Sequence, residues 1–123
     1  MSKVAIIVLA NNDTAEDRGR ILHALYAAKE LKDANQEVKV IFEGAGVNWL
    51  TEFHDGESEF SKAFSDLWIE VRDTFMGASN YVATKRFNAV AAVEGYGLPL
   101  LGEEGGHYSV GTLIQDGYQS ISF

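Results

Sequence analysis

VAIIVLA, residues 4–10, is the stretch that decides the fold class of this chain. The run is aliphatic throughout and shows no alternation of apolar and polar side chains. A strand with one face in water alternates, whereas a strand covered on both faces is apolar along its whole length. We therefore predict a buried strand over Val4–Leu9 in a parallel sheet, followed by a polar loop over Asn11–Thr14.

The rest of the chain alternates between strand-like and helix-like segments. Thr14 and Asp17 have the spacing of a helix start, and the helix is predicted to reach about Ala34. Further strands are predicted at Glu37–Glu43, Phe75–Ala78, Leu98–Leu101 and Tyr118–Phe123. Further helices are predicted at Val47–Phe53, from Ser58 through Val71, at Asn80–Glu94 and at His107–Gln115, with loops at 54–56 and at Gly105-Gly106.

This alternation predicts one α/β domain over residues 1–123, a three-layer α/β/α fold with a mostly parallel five-stranded sheet. In such a sheet the loops that follow the strands gather at the carboxyl edge, where ligands bind. We expect any site at the loops 10–14, 43–47, 76–80 and 102–107.

Composition excludes several function classes. The net charge of −8 opposes binding to nucleic acid and to anionic membranes, because both carry negative charge. The chain has no cysteine, which excludes disulfides, thiolate nucleophiles and zinc–thiolate sites. The run VAIIVLA is too short to span a membrane and is followed by NNDTAED instead of a small-residue cleavage site. We predict a cytoplasmic protein.

Three stretches resemble the DsrE/DsrF-like family, small α/β proteins associated with sulfur metabolism. They are VAIIVLANND (4–13), EVRDTFMGASNYVA (70–83) and GLPLLGEEGGHYSVGTLIQDGYQSISF (97–123). The second is similar to a family segment that ends in G-A-C-x-Y-C-A. Ser79 and Val82 then stand where many relatives carry cysteines.

The resemblance implies the family's fold and its oligomeric assembly, but it does not imply the family's sulfur-transfer reaction. Family members commonly form homotrimers or hexamers, so a homo-oligomer is expected. A serine hydroxyl is neither acidic nor polarisable enough to carry sulfane sulfur, and Val82 has no such chemistry. We therefore favour a non-enzymatic, oligomeric protein that binds a small ligand or a partner. Two alternatives stay open: a sulfurtransferase accessory that borrows a thiol, and a cysteine-independent enzyme that uses His107.

The candidate ligand-binding residues all belong to the predicted carboxyl edge. They are Asn11, Asn12, Gly77, Ala78, Ser79, Val82 and His107. Ser79 is expected either to bind an anion with the following turn or to act as an N-cap. The two asparagines either contact a ligand or cap the first helix. The loop that holds them lacks the glycines of a dinucleotide or phosphate-binding motif, so no cofactor is predicted.

Catalytic and metal-binding chemistry has few candidates. Ser79 and His107 are the catalytic candidates, since both are predicted at one edge and a histidine supports acid–base chemistry. His23 is expected on a helix surface, and His54 has no metal-binding spacing. Trp49 is expected in the core. Glu52, Asp55, Glu57 and Glu59 are expected to form a solvated acidic face, and no metal site is predicted.

Overall fold

A computed structural model of the chain describes residues 1–103 and 106–123. The chain forms a five-stranded sheet in the order β4-β3-β2-β1-β5, and each neighbouring pair of strands is parallel. The strands are β1 Lys3–Val8, β2 Glu37–Phe42, β3 Phe75–Ser79, β4 Leu100–Leu101 and β5 Gln119–Ser122. The predicted fold class is therefore confirmed.

Six α-helices connect the described strands. They are α1 Ala15–Asp33, α2 Asn48–Asp55, α3 Glu59–Ala63, α4 Ser65–Val71, α5 Val90–Gly95 and α6 Val110–Gln115. Short 3-10 turns lie at Gly44–Val47 and Arg72–Thr74, and a π-helical turn spans Val82–Arg86. In the described part of the chain, no helix is long and apolar enough to cross a membrane.

The two faces of the sheet have different cover. On one face the side chains of β1–β3 pack against α1, α2, α4 and α5, which together form the main core. On the other face Leu113 of α6 packs against Ala5 and Ile41 in a smaller second core. Because β1 is covered on both faces, Val4, Ile6 and Ala5 are all buried, and this explains its unbroken apolar sequence.

Two predicted helices are interrupted. The segment from Ser58 to Val71 forms two helices that meet at Phe64, whose φ of −113° leaves the helical range. The predicted helix Asn80–Glu94 contains the π-helical turn and then Asn88, which has a φ of +51°. Asparagine tolerates this left-handed conformation, so the chain redirects there and α5 begins only at Val90.

Three other predicted boundaries were wrong. His54 and Asp55 complete α2 instead of forming a loop, and Gly56 ends the helix with a φ of +65°. The strand β4 is limited to Leu100–Leu101, following Pro99, which has no N–H to donate to a ladder. The helix expected from His107 begins at Val110. Of the predicted loop at 105–106, Gly105 lies outside the described residues.

Candidate functional site

Ser79 ends β3 and is completely buried. Its Oγ accepts a hydrogen bond from the backbone N–H of Tyr108 at 3.2 Å. The N–H of Tyr81 donates to the carbonyl of Gly106 at 2.6 Å. Residues 106–108 therefore lie over the carboxyl end of β3. The hydroxyl serves this contact across the sheet edge, and the N-cap bond that we predicted for it is not made in the described structure.

Gly77 and Ala78 are small because β3 packs closely on both sides. A Cβ at Gly77 would lie 2.5 Å from the carbonyl oxygen of Pro99, and the residue has a φ of +153°. Ala78 is fully buried in the main core. Both residues fit β3 against its neighbours, and neither offers a surface to a ligand.

Val82 does not share the surroundings of Ser79. It is buried in the main core, whereas Ser79 contacts Tyr108, which packs against the second core. The two positions that resemble family cysteines therefore belong to different packing layers.

His107 has an exposed side chain. Its backbone carbonyl lies against Gly102, where a Cβ would meet that oxygen at 2.8 Å and where φ is +89°. The structure thus brings His107 and Ser79 to the same edge of the sheet, as expected. The atom that contacts Ser79 is the Tyr108 N–H and not the imidazole, so the described residues form no Ser–His pair.

Asn11 and Asn12 bind other parts of the chain. Asn11 Oδ1 accepts from Asn48 Nδ2 at 2.9 Å, and Asn12 Nδ2 donates to Glu52 Oε1 at 3.0 Å. The other carboxylate oxygen of Glu52 accepts from Ser58 Oγ at 3.0 Å. The asparagines therefore fasten the loop after β1 to α2. Glu52 is half-buried in this network, which corrects its placement on a solvated acidic face.

The start of α1 is capped by Thr14 and Asp17, as the sequence predicted. Thr14 Oγ1 accepts from the Asp17 N–H at 3.1 Å, and Asp17 Oδ2 accepts from the Thr14 N–H at the same distance. Desolvation acts to raise the pKa of Asp17. The hydrogen bonds from Asp13 and Thr14, with the nearby Arg20 guanidinium, outweigh it and hold the pKa below its ordinary value.

A cleft of about 340 Å³ opens between the end of β1, the first turns of α1 and the end of β5. The strand order changes direction at β1, since β2–β4 lie on one side and β5 returns to the other. Ligands of doubly wound sheets bind at such a place. The cleft is lined by Leu9, Ala10, Asn11, Glu16, Asp17, Arg20, Ser122 and Phe123.

Two of the three charged groups of this cleft pair with each other, and the third, Asp17, accepts hydrogen bonds from the backbone of Asp13 and Thr14. Arg20 donates to Glu16 at 2.7 Å, and both side chains are more than half exposed. The cleft offers a cation, carboxylates and the Ser122 hydroxyl, and none of its lining side chains is a thiol. Of these residues we named only Asn11 as a candidate, and Ala10 belongs to the predicted loop 10–14. Ser122 and Phe123 could have been predicted from the topology, because β5 also ends at the carboxyl edge. Our four predicted loops did not include the end of β5.

The other residues considered from the sequence, Trp49, His54 and His23, either pack within the chain or lie on its surface. Trp49 is buried and donates its indole N–H to the Ala10 carbonyl at 3.0 Å, as a core residue. His54 packs edge-on against Tyr96, with ring centroids 5.3 Å apart, and His23 is exposed on α1. Within residues 1–103 and 106–123, no three His, Asp or Glu side chains converge in a way that could hold a metal ion.

One relative shows the family of this chain. The uncharacterized protein MJ0733 of Methanocaldococcus jannaschii is 32% identical over 105 residues, which cover 82% of this chain and 78% of MJ0733. The chain belongs to the family of MJ0733. No family model and no solved structure matches the chain. Because MJ0733 is uncharacterized, membership of its family gives this chain a relative but no substrate.

Proposed function

We propose that the chain is a cysteine-free protein of the DsrE/DsrF-like type that binds a small ligand and does not carry sulfur. The observation that supports this most strongly is the burial of Ser79 under residues 106–108. A sulfur carrier needs a thiolate that is both present and accessible to its partner. This chain has no thiol, and its own backbone covers the position that resembles a family cysteine.

The cleft between β1 and β5 is the proposed ligand site. It lies at the carboxyl edge, beside the change in strand direction, and combines Arg20 with Glu16 and Asp17. This arrangement of charges complements a small zwitterion, whose carboxylate pairs with Arg20 and whose ammonium group pairs with Glu16. The resemblance to sulfur-metabolism proteins makes a sulfur-containing amino acid the first choice.

Self-association is the second part of the proposal. Val110 and Ile114 are 44% and 54% exposed and lie one turn apart on α6. The strand β5, with the sequence QSIS, is exposed and uncharged, and within the described structure only β1 pairs with it. Uncharged, partly apolar surfaces let copies of a chain with net charge −8 approach without strong repulsion. We propose a homo-oligomer, and the family resemblance suggests a trimer or hexamer.

Titration of the isotope-labelled protein with cysteine, followed by amide NMR spectra, tests the ligand site. We expect saturable shifts at Asn11, Arg20 and Ser122, with weaker effects from alanine, which has the same charges without sulfur. Arg20→Gln should weaken binding about tenfold through the loss of a charge-assisted contact. Arg18→Gln is the matched control, because Arg18 makes the same charge change on the same helix but does not line this cleft.

Each outcome decides one part of the proposal. Equal shifts from alanine and cysteine would contradict the link to sulfur compounds and retain a zwitterion site. No shift in the cleft from either compound at millimolar concentration would overturn the ligand site. Equal weakening by the Arg20 and Arg18 variants would show that overall charge, and not the cleft, determines binding.

A further inference from the structure

A second cleft lies at the opposite edge of the sheet, between α4 and α5. It consists of two adjoining cavities of about 490 and 240 Å³ that share Ile69, Arg72 and Tyr96. The residues 72–75 lead into β3 and the residues 95–100 lead into β4, so this α4–α5 cleft belongs to the amino edge. None of our predicted site residues lines it.

Aromatic rings form the inner wall of the smaller cavity. Phe53 stacks on Trp68 with ring centroids 4.0 Å apart and an interplanar angle of 4°. Tyr96 lies against the same indole at 5.9 Å and a tilt of 51°. Ile69, 59% exposed, adds an apolar side chain at the mouth of the cleft. A flat apolar body would be recognised by this wall, since aromatic pairs favour stacked and edge-to-face contacts.

A buried donor in the wall lacks a well-formed hydrogen bond. Trp68 is 3% exposed, and its indole N–H makes no hydrogen bond of ordinary geometry in the described structure. The Tyr96 hydroxyl lies near enough for this N–H to act toward lowering the Tyr96 pKa, against the larger effect of burial. The other tryptophan, Trp49, donates to Ala10. A buried N–H without a partner is rare and unfavourable, so Trp68 is suited to a ligand that supplies an acceptor.

Arg72 is the cation of this cleft that is not held by a carboxylate in the described structure. Lys32 binds Asp73 at 3.0 Å. Lys29 is shared between Asp33 at 2.6 Å and Glu70 at 3.4 Å, so both acids of the larger cavity have a cation nearby. Arg72 forms no ion pair within 4.0 Å among the described residues. Burial raises the pKa of the Tyr96 phenol, so this group is a neutral donor at physiological pH.

We propose that the α4–α5 cleft binds a small aromatic carboxylate. The ring packs against Phe53, Trp68 and Tyr96, and the carboxylate pairs with Arg72. The indole nitrogen has less than 1 Å² of exposed surface. The Tyr96 ring must therefore shift from Trp68 as the ligand enters, and a carboxylate oxygen then accepts the indole N–H. This cleft shares no lining residue with the cleft between β1 and β5, so an experiment can overturn one proposal without affecting the other.

Indole N–H signals in NMR spectra of the full chain provide the test, with benzoate as the probe. The chain has two tryptophans, so each spectrum contains its own control. Benzoate should shift the Trp68 signal saturably and leave the Trp49 signal in place. Benzamide, which has the ring without the charge, should bind at least about tenfold more weakly, because it cannot form an ion pair with Arg72.

Matched variants separate the site from a general charge effect. Arg72→Gln should weaken benzoate binding about tenfold, whereas Arg18→Gln, on α1 and outside the cleft, should leave it unchanged. The amide spectrum of each variant shows whether it is folded. The proposal is overturned if benzoate leaves the Trp68 signal unmoved, if benzamide binds equally well, or if both arginine variants weaken binding to the same extent.

Discussion

Gly77 lies in β3 at a point where the sheet leaves no room for a side chain. Its missing Cβ lets the Pro99 carbonyl approach, and Ala78 N–H donates to that same carbonyl at 3.3 Å. A methyl group at position 77 would meet this oxygen at 2.5 Å and would also meet Leu101 Cγ at 3.0 Å. The backbone atom cannot move away without disturbing the pairing of β3 and β4.

Gly77→Ala should therefore lower the free energy of unfolding by about 1–3 kcal/mol, as expected of overpacking in a close contact. Urea denaturation checks the value. Gly19→Ala is the control, because Gly19 lies within α1 and a Cβ there would meet nothing within 4 Å. This control should gain about 0.5–1 kcal/mol through helix propensity. A Gly77→Ala variant with an unchanged free energy of unfolding would contradict the close approach of β3 and β4.

The sequence indicated that small residues at 77–79 meet a close backbone neighbour, and that neighbour exists. The sequence did not indicate which part of the backbone would lie against these residues. Ser79 bonds to a backbone N–H that lies 29 positions further along the chain. Local pattern reports which face of a strand is apolar, but it contains no information on which loop lies across the strand end. Ser79 lies at the predicted edge of the sheet, but its burial and its bond from Tyr108 were not predicted.

Among the helices, α1 shows the clearest agreement between local sequence and structure. Its capping box was visible in the spacing of Thr14 and Asp17, and both reciprocal hydrogen bonds are present. Capping depends on residues within one turn, so a local pattern is sufficient to predict it. The interruptions at Phe64 and Asn88 were not predicted, because the apolar spacing continues through both positions.

Thr14→Ala should lower the free energy of unfolding by about 1 kcal/mol, because the Asp17 N–H loses its acceptor. Thermal or urea unfolding measures the change. Thr112→Ala, which changes a threonine within α6 that caps no helix, is the control and should be neutral or slightly stabilising through helix propensity. Equal effects of the two substitutions would contradict the capping role.

The Asp17 carboxylate gives this cap a pH dependence. Its pKa is lowered in the folded state, so the ionised form stabilises folding. That contribution is complete above the ordinary value of 3.8 and is lost as the pH falls through the folded-state pKa. The melting temperatures of the wild type and Asp17→Asn should therefore differ at neutral pH and converge in strong acid. A difference that persists unchanged in acid would contradict the cap.

At the scale of the whole molecule, the sheet has one well-covered face and one face covered by a short helix. The main core lies under α1–α5, while α6 provides the second core with Leu113 and leaves Val110 and Ile114 exposed. Alternation of strands and helices predicted the parallel sheet and its layers. It did not predict how unequally the layers are filled, since that depends on the length and position of α6.

Ile114→Glu should shift the proposed oligomer toward monomer, because it puts a charge on an apolar surface of a chain with net charge −8. Light scattering coupled to size exclusion measures the mass. Ile69→Glu is the matched control, since Ile69 is equally apolar and 59% exposed but lies on α4, on the opposite side of the sheet. A monomeric wild type, or equal dissociation by both variants, would contradict self-association through α6.

The most direct test of the central claim, that residues 106–108 cover the side chain at position 79, is the reactivity of Ser79→Cys toward a thiol reagent. Ser109→Cys is the control, because Ser109 is exposed just beyond this segment. The thiol at 79 should react at least about a hundredfold more slowly, equivalent to about 2.7 kcal/mol of local opening, and at the control rate in urea. Equal rates in the native protein would contradict this covering of position 79.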